Sequence, residues 1–217
     1  MTLDILICAL VLVAVQLRMS AALLSLRGRI ALSVVVFVWS FLPYPWGLAA
    51  WTVSYLSTFS ITSGLLAILA IQHRIVGHYW LPLGQLRGAC VMLVLMALWF
   101  YPMSMGSSYA DPYALGFGSF GFSTALLLVG LLAWVVRAYA SCLILVAAQF
   151  AFGADVLVSD NLWDYLIDPW LVFWAAGWLI RDRLLQARAM PAPETASSRD
   201  AQSAESADKT DVLSPGQ

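Results

Sequence analysis

Charge is scarce in this sequence. Asp, Glu, Lys and Arg together make up 11% of its 217 residues, against about 25% in a typical soluble domain. With 62% hydrophobic residues and a mean hydropathy of +0.84, a water-soluble globule is excluded. Lysine is absent until Lys209, so no apolar stretch holds the amine that a retinal-type Schiff base needs. The formal net charge of -1 removes any case for a nucleic-acid partner. Histidine occurs only as His73 and His78, with no carboxylate or cysteine beside them, so neither a metal site nor a haem pair is expected. Cys8, Cys90 and Cys142 lie far apart in apolar runs, without a CxxC pair, and read as small buried hydrophobes. Ahead of the first apolar run stands Asp4 and no basic residue, and no small-x-small site follows. A cleaved signal peptide is therefore not expected.

What the chain does have is apolar length. A bilayer core of about 30 Å takes about 20 apolar residues per helix, with 17 tolerated. The candidate spans are 3–17, 30–46, 48–72, 89–103, 112–136, 138–158 and 168–180, the last with a helical extension to 189. The first is short and ends at Gln16 and Arg18. From Met190 onward the composition turns to Ala, Ser, Pro and mixed charge, which cannot bury a core. The expected organisation is a membrane domain over 1–189 and a disordered cytoplasmic tail over 190–217.

The basic residues sort the connections into two sets. Arg18, Arg27 and Arg29, then Arg74 and Arg87, then Arg137, then Arg181, Arg183 and Arg188 occupy alternate connections. The stretches 43–47, 104–118 and 155–168 hold no Lys or Arg. Positive residues near span ends remain cytoplasmic, so the basic loops and the tail are expected inside. The predicted fold is an all-α polytopic bundle of seven transmembrane helices in the plasma (inner) membrane, N-terminus out and C-terminus in. If segment 3–17 lies in the interface instead, six helices cross and only the N-terminus changes side.

The outward connections are acidic and aromatic. Asp160, Asp164 and Asp168 are spaced by four, which on one helix aligns three carboxylates. Pro169, however, disfavours a helical Asp168, so Asp168-Pro169 reads as N-cap and first residue of the last helix. Asp111-Pro112 has the same form before the fifth span. The loop brings together Asp160, Asn161, Trp163, Asp164, Tyr165 and Asp168, expected to face Tyr109, Asp111 and Tyr113 as a cation or partner site. Helix caps and solvated acids are the plainer reading of the same residues. Ser54, Thr58 and Thr62 recur at helical spacing within 48–72; they form either a polar path or, more commonly, a close-packing face. Trp170, Trp174 and Trp178 follow the same spacing, and the deeper two suit packing. Gln149, the one strongly polar side chain deep in the sixth span, is expected to bond a neighbouring helix. Gly116, Gly118 and Gly121 spell GxGxxG without a preceding strand, so no dinucleotide site is read there.

No nucleophile–base pair or metal-ligand set falls on one side of the membrane, and no acid, Lys or Arg sits in mid-span, as a proton relay requires. The expectation is a non-catalytic accessory, assembly or interaction subunit without cofactor or metal. Its partners are the lipid bilayer and either a membrane protein or further copies of itself. The alternative is a transporter or channel for a small or amphipathic solute. An intramembrane enzyme is the third and weakest reading.

Overall fold

The computed structural model describes residues 2–107 and 111–189; Tyr109 and the expected tail over 190–217 lie outside them. All the regular secondary structure of the described residues is helical, with no strand. The helices are α1 (Thr2–Met19), α2 (Leu26–Ser40), α3 (Leu48–Leu56), α4 (Ile61–Val76), α5 (Leu83–Pro102), α6 (Phe120–Val135), α7 (Tyr139–Gly153), α8 (Leu162–Leu166) and α9 (Pro169–Ala189). Two stretches, Leu3–Ala22 and Leu83–Gly106, are long and apolar enough to cross a membrane. Ile61–Val76, Phe120–Val135 and Tyr139–Gly153 are apolar but shorter. A helix of 16 residues rises only about 24 Å at 1.5 Å per residue, short of a full hydrocarbon core.

The chain divides into two units, Met1–Leu179 and Ile180–Gln217. The described part of the second continues α9, with the Gln186 amide donating to Asp182 one turn back at 2.6 Å. In the first unit, serine and acid side chains start the helices. Ser25 Oγ accepts from Gly28 N, Ser60 Oγ from Ser63 N and Ser119 Oγ from Phe122 N, each satisfying an otherwise orphan amide. α4 ends at Gly77, whose left-handed φ of +91° closes the last turn onto His73 O.

Segment 48–72 is not one helix, contrary to the sequence expectation. α3 stops at Leu56, Ser57 takes a φ of +67°, and α4 starts afresh at Ile61. Hydroxyl side chains favour such breaks because they offer the backbone an alternative partner. Ser54, Thr58 and Thr62 therefore do not share a helical face: Ser54 bonds back to Ala50 O on exposed α3, Thr58 lies in the link, and Thr62 is buried in the first turn of α4. The fifth expected span is also shorter than its pattern. Asp111 Oδ1 accepts from Tyr113 N at 2.9 Å, but the turn it opens is a short one, Tyr113–Gly116, and α6 begins only after Gly118 at φ +71°.

Contacts gather the helix ends into two groups. Near one, Gln85 at the start of α5 donates to Arg137 O and accepts from Ala140 N, fastening the α6–α7 turn. Arg137 occupies that turn at φ +61°. Near the other, the end of α5 meets α6 and α8 where the rings of Phe100 and Phe122 lie 4.3 and 4.8 Å from Trp163. Between them, α1 packs against α4, with Ile7 filling the space beside Gly64. Gln149 on α7, with its amide nitrogen turned toward α6, lies 3.1 Å from Ser123 O and 3.2 Å from Leu127 N. Trp174 and Trp178 pack beside Leu171 and Ala175.

Candidate functional site

The acidic loop folds as a cap over the end of the bundle. Its core is α8, whose N-cap Asn161 is fully buried. Asn161 Oδ1 accepts from Trp163 N at 3.0 Å while its amide nitrogen donates to Tyr113 O, also at 3.0 Å. The Trp163 indole donates to Pro112 O at 2.8 Å. These bonds tie the loop to the turn around Tyr113. Gly116 permits the approach: a Cβ there stands 1.8 Å from Asn161 Oδ1 and 2.8 Å from Trp163 Cδ1. Tyr165 is buried too, its hydroxyl donating to Leu157 O and accepting from Leu157 N, both at 3.2 Å. Burial, assisted by Asp155, Asp4 and Asp160, raises that hydroxyl above its ordinary pKa.

The three carboxylates take three different roles. Asp160 precedes α8 and is exposed. Asp164, on α8, accepts from Ser159 Oγ and from the Tyr113 hydroxyl, the latter at 3.3 Å. Burial and then the charge of Asp164 raise the Tyr113 pKa, which keeps that phenol protonated and donating beyond the usual alkaline range. Asp168 follows Ile167, an extended residue with φ -145° and ψ 141°, so the spacing of four does not align the acids on one face.

Asp168 is the most tightly held of them, buried at 5% exposure. Its Oδ1 accepts from Leu171 N at 2.8 Å, the expected N-cap of α9. Its Oδ2 accepts from Ser60 N at 3.0 Å, Ser60 Oγ at 2.8 Å and Ser63 Oγ at 2.5 Å. One carboxylate thus closes the N-termini of two helices, α4 and α9, and both helix dipoles favour its charge. Ser60 and Ser63 are the partners that sequence reasoning missed. The Ser-x-x-Ser spacing is only a weak helix-start signal inside an apolar run, and nothing in it points to Asp168. Asp111 serves its own turn, and the rest of its expected neighbourhood includes Tyr109, outside the described residues.

Among the described residues no cluster of His, Cys, Asp and Glu has the arrangement of a metal site, and Cys8, Cys90 and Cys142 form no disulfide with one another. No family model, curated protein or solved structure matches this chain.

The different roles of the acids predict different mutational costs. Asp160→Asn should change stability by less than about 0.5 kcal/mol, as an exposed substitution. Asp164→Asn should cost about 1–2 kcal/mol, because the amide matches only part of the acceptor capacity used by Ser159 and Tyr113. Thermal unfolding in detergent, followed by tryptophan fluorescence, checks the order; equal effects would contradict the division of roles.

Proposed function

We propose that this chain is a multipass protein of the plasma (inner) membrane, acting as a non-catalytic accessory, assembly or interaction subunit. Seven helical passes with the N-terminus out and the C-terminus in fit the alternation of basic connections, the segment 48–76 supplying a single pass through α4. The domain over 1–189 carries the passes, and the tail over 190–217 follows in the cytoplasm. Support for a lipid environment comes from the outward faces of the helices. Val34, Val35 and Val38 on α2, Leu95 and Leu98 on α5, Leu128, Leu131 and Leu132 on α6, and Phe150 on α7 are all exposed. So much apolar surface facing outward is untenable in water and ordinary in hydrocarbon.

The observation that carries the accessory reading is the self-contained chemistry of the cap. Asn161, Tyr165 and Asp168 spend their side-chain polar atoms on partners within the chain, and Asp164 does so through Oδ2, which makes a shaped platform. Asp160 and Asp111 remain exposed on it and suit a basic segment of a partner protein.

One feature favours the transporter reading. Transporters place binding groups where helices break, and the α3–α4 break brings a helix N-terminus beside buried Thr62, whose hydroxyl oxygen makes no hydrogen bond. That terminus is filled by Asp168, which leaves the first reading ahead. Purification in mild detergent from the native membrane separates the two. The accessory reading expects a stoichiometric partner lost on Asp160→Arg; a lone homo-oligomer that moves solute in proteoliposomes overturns it.

A further inference from the structure

The charge-free stretch 30–73 contains an aromatic face that neither the cap nor the core uses. α3 is nine residues long, about 13.5 Å at 1.5 Å per residue, less than half of a hydrocarbon core of about 30 Å. Its inner side is anchored, with Ala49 fully buried and its carbonyl accepting from the Cys8 thiol at 3.9 Å. Its outer side is a row of rings. Trp51 stacks on Tyr55 at 5.9 Å and 10°, and Tyr44 leans on Trp51 at 5.5 Å. Tyr55 is 77% exposed, and Trp39, Tyr44, Trp46 and Trp170 are exposed beside it.

The polar atoms of this face matter as much as its rings. The Trp39 indole donates to Trp46 O at 2.8 Å, Trp51 to Pro45 O at 2.6 Å and Trp170 to Leu56 O at 3.2 Å. Three indole donors are thus spent on the chain's own carbonyls, which fixes the rings and leaves their apolar edges outward. The surface carries no charge, and its outward polar groups are those of exposed Tyr44, Tyr55 and Trp46, amphipathic side chains with an apolar body and one polar tip. It matches the carbonyl and headgroup zone of an uncharged lipid leaflet, where amphipathic aromatic side chains concentrate. The face is also continuous with the apolar exteriors of α2 and of Phe173 on α9, whose ring lies 6.4 Å from Trp170.

We propose that α3, with the turn before it, is an interfacial lipid-docking element that lies along the outer headgroup zone without crossing. This rests on the membrane reading above. The test is a spin label at Tyr55→Cys in the full chain, with Cys8, Cys90 and Cys142 replaced, reconstituted in phosphatidylcholine vesicles. A second label at Leu95→Cys, exposed midway along α5, reports the membrane reading by itself. Collisional relaxation by oxygen and by an aqueous nickel chelate gives the depth of each. The expected result places Leu95 deep in hydrocarbon and Tyr55 about 10 Å shallower, within the outer edge of a core of about 30 Å. Leu95 in lipid with Tyr55 fully open to the chelate overturns the docking proposal alone, as does Tyr55 at the depth of Leu95. Leu95 open to water overturns the membrane reading and the proposal together.

Discussion

Asp168→Ala is expected to be the most damaging single substitution in the cap, lowering stability by about 3–5 kcal/mol, the range for breaking one member of a buried charged network. Four donors lose their acceptor at once: Ser60 N, Ser60 Oγ, Ser63 Oγ and Leu171 N. Each bond to an ionised group contributes about 1.5–3 kcal/mol. The sum is not realised, because the serine hydroxyls can turn to other acceptors. The two backbone amides cannot, and they sit at the starts of α4 and α9. Asp168→Asn keeps the volume and one acceptor oxygen but turns an NH2 group toward donors, so about half the loss is expected. Ser60→Ala and Ser63→Ala should each cost about 1 kcal/mol. Combined with Asp168→Ala, Ser63→Ala should add little, since the bond it removes is already gone, whereas Ser60→Ala still loses the cap bond from Ser63 N, at about 0.5–2 kcal/mol. Thermal unfolding in detergent micelles measures the series. An Asp168→Ala protein that melts with the unaltered chain would show that the carboxylate does not join the two helices.

Trp163→Ala is the second large effect, at about 3–5 kcal/mol, the usual range for truncating a buried aromatic residue. Trp163 is 2% exposed and lies against Phe100, Phe122 and Trp99 with ring centroids 4.3, 4.8 and 6.2 Å away. It therefore joins the end of α5, the start of α6 and α8 in one cluster. Its indole bond to Pro112 O adds a polar tie to the facing turn. Trp163→Phe separates the two contributions. It retains most of the ring packing and leaves Pro112 O without its donor, so a loss of about 1–3 kcal/mol is expected. If alanine and phenylalanine cost the same, the hydrogen bond and not the packing holds the cap.

The cap of α9 was legible in sequence because its causes are local. Asp168 and Pro169 are adjacent, and proline's missing N–H and fixed φ suit a first helical position. The second role of Asp168 was not legible, since its serine partners on α4 lie more than a hundred positions earlier. For the same reason the break after Leu56 was hidden: an apolar run rich in Ser and Thr fits a continuous helix until a distant carboxylate takes the amide of Ser60. The spacing of Asp160, Asp164 and Asp168 misled in the opposite way, because one extended residue, Ile167, undoes a helical period. Gly116 shows a third limit. Nothing local marks it, and its necessity comes only from the approach of Asn161 and Trp163. Helical class, by contrast, followed from composition and apolar length.

In the proposed topology the cap and the basic connections occupy opposite sides of a membrane. The direct measurement is labelling by a membrane-impermeant maleimide in intact cells, with Cys8, Cys90 and Cys142 replaced and single cysteines placed at exposed Asp160 and exposed His78. Asp160→Cys is expected to react from outside and His78→Cys only after permeabilisation. Labelling of His78→Cys in intact cells, or of both positions from the same side, would contradict that topology.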